Sequence, residues 1–163
     1  MTIVHDCLIR GINAVYLQCV NVTNKGNAKD KKDFANFAYA WGRMINEHYT
    51  VEEEKILPEI NEVTGVEGLM DANVNEHFLF LGGLSAYDQY VEKVRTGKED
   101  WTAERLRAII DSFMPTLQTH LENEITTLVR LEKYADKCDW DVWFQTTANQ
   151  IASDGTRALI ELP

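Results

Sequence analysis

A chain of 163 residues, 45% apolar and 26% charged, has the length and composition of one globular domain with a buried core. Its formal charge of −10 speaks against nucleic acid or an anionic membrane as the main partner, because binding phosphate needs clustered Lys and Arg. Apolar runs are broken by charges well short of the roughly 18 residues of a membrane span, and the opening "MTIVHDCLIRGIN" lacks the layout of a secretion signal, so a soluble, cytoplasmic protein is expected.

Cys7, Cys19 and Cys138 cannot all pair within one chain, and their spacing matches neither a zinc cluster nor a redox CxxC. Reduced thiols are expected.

Glycine is sparse inside the long segments and apolar residues recur at spacings of three and four, which predicts an all-α chain. The first helix is expected from about Ile3 to Val20, ending at the polar stretch "NVTNKGNAKDKKD". On it, His5 lines up with Leu8, Ile9, Ile12, Tyr16 and Cys19.

The second helix is predicted from about Asp33 to Leu57, with Pro58 ending it. Its apolar face runs Phe34, Ala38, Trp41, Ile45, then His48, Glu52 and Ile56, so a histidine and a glutamate continue the buried stripe. The third helix is expected from Val66 or Gly68 to Arg95, with His77 in a stripe of Met70, Val74, Leu81, Leu84 and Val91.

The fourth helix starts near Asp100 or Thr102, either of which can cap free N–H groups, and runs to about Ala135. Its stripe reads Ile110, Phe113, Leu117, His120, Glu124, Leu128, Leu131, and Pro115 predicts a kink one turn before His120. The tail places Trp140, Trp143, Phe144 and Ile151 at helical spacing before "SDG", a short fifth helix or tail that packs on the bundle by area burial or serves as a lid. The whole is read as one domain, 1–163: an antiparallel up-down four-helix bundle over about residues 3–135, capped by residues 139–163.

All four histidines thus fall on core-facing positions, one per long helix, and two carry a glutamate one turn on. An ionised carboxylate taken out of water costs several kcal/mol unless paired, and the stripes supply no Lys or Arg near these positions. Four imidazoles and two carboxylates form a mixed nitrogen and oxygen set suited to iron, manganese or zinc. Ligands projecting from facing helices meet at one level of a bundle, as in carboxylate-bridged di-metal proteins. A polar core without metal is the plainer alternative. The carboxylates Glu47, Glu53, Glu54, Glu76 and Glu122 are read as a solvated face, and Tyr49, beside His48, as a hydrogen-bond donor within reach of the site.

The ordered set of His5 in "VHDCLIRGIN", His48 and Glu52 in "EHYTVEEEKILP", His77 in "NEHFLFLGGL", and His120 and Glu124 in "THLENEITTL" resembles the hemerythrin-like family of HHE cation-binding domains, its fungal members most closely. The resemblance implies a non-heme diiron centre: Glu52 and Glu124 bridging, His5 and His48 on one iron, His77 and His120 on the other. The sequence departs from oxygen-carrying members at Leu81, where they have a fifth histidine; that iron then keeps an open position or takes an oxygen donor. The implied function is a protein that binds and activates O2 or peroxide as an oxidoreductase, with O2 or another small oxidant and a small organic substrate as partners. The alternatives are a non-enzymatic iron or O2/NO-sensing module and a metal-free helical interaction protein.

Overall fold

The computed structural model describes the backbone of residues 1–160 and the side chains of residues 1–153. Helix α1, Thr2–Lys25, hands over to α2, Ala28–Val51, across only Gly26 and Asn27. The stretch expected to be a polar loop is therefore helical on both sides of a two-residue break. Asn27 explains it: its side chain accepts from the N–H groups of Lys29 and Asp30 at 2.8 and 3.0 Å, and the Asp30 carboxylate accepts from the Asn27 N–H at 3.0 Å. This reciprocal cap satisfies donors that a new helix leaves free, so α2 begins ahead of Asp33.

Pro58 does not stop the second helix. A π-helical turn, Glu52–Ile56, connects α2 to α3, Leu57–Thr64, with the Leu57 N–H bonded to the Glu52 carbonyl five residues back. A proline in a regular helix clashes with the carbonyl four residues earlier, and the extra residue in the widened turn opens that space. Gly65, at φ 69°, ends α3 in the left-handed region that favours glycine.

Helix α4, Asp71–Arg95, begins later than expected, after a turn containing Gly68 at φ 73°. Helix α5, Ala103–Val129, has Thr102 at its N-cap, continues unbroken through Pro115, and ends in a 3-10 turn, Arg130–Tyr134. Helix α6, Trp140–Ile160, is 21 residues long, not short, and "SDG" does not stop it. Intrinsic propensity is a weak constraint on a helix anchored by packing. Residues 161–163 of the expected cap lie outside the described residues.

Helix α1 packs on α2 and α5, and α4 packs on the same two, so the long helices close a ring. Inside it lies a core that includes Leu8, Ile12, Trp41, Ile45, Phe80, Leu84, Tyr87, Ile110, Phe113 and Leu117. Each such side chain contributes about 1.5–3 kcal/mol when fully buried. Two hydrogen bonds fix the register: Trp41 Nε1 donates to the Leu8 carbonyl and Tyr87 Oη to the Ala38 carbonyl, both at 2.9 Å.

A second apolar cluster, Ile56, Leu57, Ile60, Met70 and Leu131, lies beyond the first and is covered by Trp140, Trp143, Phe144 and Ile151 of α6. The tail thus packs by area burial. No strand and no helix long and apolar enough to cross a membrane occurs among the described residues. All three cysteines are free.

Two adjacent glycines test the packing of α4 on α5. A Cβ on Gly83 would sit 2.6 Å from the Phe113 Cβ, whereas one on Gly82 would meet nothing within 4 Å. Gly83→Ala is expected to destabilise by about 1–3 kcal/mol, and Gly82→Ala to stabilise by about 0.5–1 kcal/mol because a helix interior disfavours glycine. Urea melts of the two variants check the opposite signs.

Candidate metal centre

On every long helix the candidate ligand falls between the two apolar clusters. His5 lies between Met1 and Leu8, His48 and Glu52 between Ile45 and Ile56, His77 between Val74 and Phe80, and His120 and Glu124 between Leu117 and Leu128. His5, Glu52, His77, His120 and Glu124 are buried, and the His48 side chain is 9% exposed. All six residues singled out in the sequence face one layer.

They form two groups whose donor atoms lie within 4.8 Å of one another: His5, His48, Glu52 and Glu124; and Glu52, His77 and His120. Glu52 belongs to both. One of its oxygens is 2.9 Å from His48 Nε2 and the other 3.5 Å from His77 Nε2. Glu124 belongs to the first group alone, with Oε2 3.0 Å from His5 Nε2. These contacts are short but poorly aligned: both oxygens of Glu52 and of Glu124, His5 Nε2 and His48 Nε2 have no hydrogen-bond partner despite being buried. Buried polar atoms are almost always satisfied, so a cluster of orphaned donor atoms pointing into one space marks a place for a cation.

The second group carries a further sign. His77 Nδ1 is 2.6 Å from Glu53 Oε1, and His120 Nδ1 is 3.1 Å from Glu76 Oε2. An ionised carboxylate can only accept, so each Nδ1 carries a proton, which in the neutral ring leaves Nε2 with its lone pair. Those two Nε2 atoms lie 3.1 Å apart. With His77 in the charged form that Glu52 and Glu53 favour, this contact is a hydrogen bond to His120; with both rings neutral the facing lone pairs repel, and a cation between them converts the repulsion into coordination. The residues fit a transition metal of the type that mixed imidazole and carboxylate sets hold.

Glu53 and Glu76 are therefore not part of a solvated face, as their helical angle suggests. Each reaches sideways, Glu53 from the π-helical turn after α2 to His77 on α4, and Glu76 from α4 to His120 on α5, where Asn123 Nδ2 also donates to Glu76 Oε1 at 2.7 Å. The signal for them was their position, next to Glu52 and next to His77: too far round the helix to share an ion, but facing the neighbouring helix. Carboxylates that hold the far N–H of a ligating histidine fix its ring and raise its basicity. Glu47 pairs with Arg43 and Glu122 accepts from Gln118, both in solvent, and Glu54 is exposed. Tyr49 turns its hydroxyl to Asn46 Oδ1 at 3.0 Å while its ring lies against His77, so it contributes packing, not a donor to the site.

Burial works on the two inner carboxyls alike, but their neighbours differ. Burial pushes Glu52 up, and the His48 and His77 rings outweigh it, holding the carboxyl down at about 2. Burial also pushes Glu124 up, helped by the negative Glu52, and His5 only partly offsets this, so Glu124 stays above the ordinary carboxylate range. His77 is raised: burial lowers it, but Glu52 and Glu53 prevail. His120 is lowered by burial and by the neighbouring His77, against Glu76.

The opposite shifts give the metal-free protein opposite responses. Ionised Glu52 stabilises the fold above its unfolded value of 4.5, and that contribution is lost as pH falls toward about 2. Glu124, with its raised value, favours the fold at low pH and costs stability as pH climbs through that value. At pH 7 in the presence of chelator, Glu124→Gln is expected to raise Tm and Glu52→Gln to lower it. Calorimetry of the two variants reads the signs.

Compared with known proteins, the chain is 34% identical over 143 residues, 88% of its length, to "Dimeric xanthone biosynthesis cluster protein R11" of Cryptosporiopsis sp. (strain 8999). It spans 53% of that protein's length. No family model matches the chain, and no solved structure matches it.

Proposed function

We propose that this chain is a hemerythrin-like four-helix bundle that holds two iron ions and binds and activates O2 or peroxide as an oxidoreductase. The observation that carries this reading is the pair of buried donor groups joined through Glu52. In it, His5, His48 and Glu124 would hold one ion and His77 and His120 the other, with Glu52, which belongs to both groups, available to each. The ring formed by α1, α2, α4 and α5 supports the bundle assignment. When bound, a pair of adjacent irons would supply the redox equivalents for the reaction; manganese or zinc can occupy such a set, zinc without redox chemistry.

The chain's own residues set the conditions. Glu53 and Glu76 keep the Nδ1 protons in place and orient His77 and His120. The apolar clusters above and below the layer exclude bulk water, which strengthens every charge interaction within it. Glu52, ionised over the whole physiological range, brings negative charge to both ions.

The relative's printed name places that protein in a biosynthesis cluster, a setting that an oxidoreductase fits. A non-enzymatic iron or O2/NO-sensing module is the second reading, supported by the same donor set. Substrate-dependent O2 consumption by the iron-loaded protein separates them.

Anaerobic addition of Fe2+ followed by air is expected to give near two irons per chain and the near-ultraviolet absorption of a coupled ferric pair. Absence of uptake would sink the reading. Glu52→Ala, which touches both groups, is expected to lose most of both irons and their contribution to thermal stability. Glu124→Ala is expected to spare the ion at His77 and His120, giving close to one iron per chain by elemental analysis.

A further inference from the structure

The two donor groups are unequal. His5, His48, Glu52 and Glu124 offer four residues, whereas the second group offers Glu52, His77 and His120 alone. One more buried, unpaired polar atom sits one helical turn before His77. Asn73 is 2% exposed, and its Oδ1 has no hydrogen-bond partner.

Its position points to the second group. Asn73 and His77 lie four residues apart on α4, on one helix face. Helical side chains lean toward the N-terminus, so the His77 ring tilts back over the turn that carries Asn73. On α5, His120 meets His77 and Phe113 meets Gly83, an antiparallel register that brings Asn73 level with Glu124. Across α2, Glu52 and Glu53 meet His77, which brings Asn73 level with Ile56 and Leu57, both apolar.

A structural role is not evident. Asn73 stands in the first turn of α4, where the N–H groups of Asp71, Asn73 and Val74 already donate to the Gly68 and Met70 carbonyls, so its oxygen caps none of them, and the N-cap is Met70 without a side-chain bond. The polar groups nearest in register, Glu52 and Glu124, themselves show only unpaired oxygens. Acceptors gathered around acceptors are reconciled by a cation.

We propose that the Asn73 carboxamide oxygen is the fourth protein donor to the ion held by Glu52, His77 and His120, an assignment that rests on the metal reading above. A neutral oxygen then stands where a further nitrogen donor is missing, and it comes from the turn before His77. Leu81, one turn after it, packs into the main core.

Anaerobic titration with Fe2+, and with Co2+ followed by visible absorption, tests this in wild type, Asn73→Leu, Asn73→Ala, Asn73→Asp and Trp140→Phe. The Leu and Ala variants are expected to fill the first site as wild type does and to bind the second ion at least about tenfold more weakly, the lower end of the loss seen even for indirect partners of metal ligands. Asn73→Asp is expected to match or exceed wild type. Trp140→Phe tests the other orphaned group nearby, the buried indole N–H, and is expected to bind both ions normally. If whichever of the Leu and Ala variants folds takes up both ions with wild-type affinity, or if Trp140→Phe weakens the second ion as much, the assignment to Asn73 fails while the metal reading stands. If wild type takes up no ion, both fail.

Discussion

The structure turns on one constraint: two carboxylates and four imidazoles share a layer from which water is excluded. Above it lies the main core around Trp41, Phe113 and Tyr87; below it lies the cluster around Leu57, Ile60 and Met70. Apolar packing on both sides closes the layer but cannot satisfy it. The unmet demand of Glu124 and of the inner nitrogens of His5 and His48 is a standing cost to the metal-free chain. Such a layer has the donor set to hold a cation, which repays the desolvation at the oxygens of Glu124 and at His5 Nε2 and His48 Nε2.

The layer is not symmetric. His77 and His120 are each gripped from outside by a carboxylate from the next helix round, so their rings are fixed before any ion arrives. His5 has no such partner, and its Nδ1 is buried and unpaired. Preorganised imidazoles lose less freedom on binding, and anionic partners make them stronger donors. The two donor groups are thereby tuned differently by residues that belong to neither, with Glu52 common to both.

Much of this was legible in the sequence because helical periodicity carries it. His5, Leu8 and Ile12, or Ile110, Phe113, Leu117, His120 and Glu124, announce their face by spacing alone, and the structure buries them. Local chemistry was harder to read. The start of α2 depends on a reciprocal cap between Asn27 and Asp30, which a run of lysines and aspartates disguises as a loop. Glu53 and Glu76 look solvated on their own helices and acquire a partner only when the next helix is in place. Asn73 was passed over because the buried stripe was drawn through Met70, Val74 and His77, and the burial of Asn73 shows only in the folded chain. Pro58 misled for a similar reason: it ends a regular helix, and this helix is not regular there.

The π-helical turn at Glu52–Ile56 has a geometric effect along the entire helix. The inward residues Glu52, Ile56, Ile60 and Thr64 follow one another at intervals of four. In an ordinary helix each such interval over-rotates by about 40°, so the face would swing outward within two turns. The inserted residue unwinds the coil locally and resets its phase. One continuous rod can then lend Trp41 to the upper hydrophobic mass, Glu52 to the polar seam and Ile60 to the lower mass, so that trimming a single residue anywhere in Glu52–Ile56 would throw the seam and the lower mass out of alignment together.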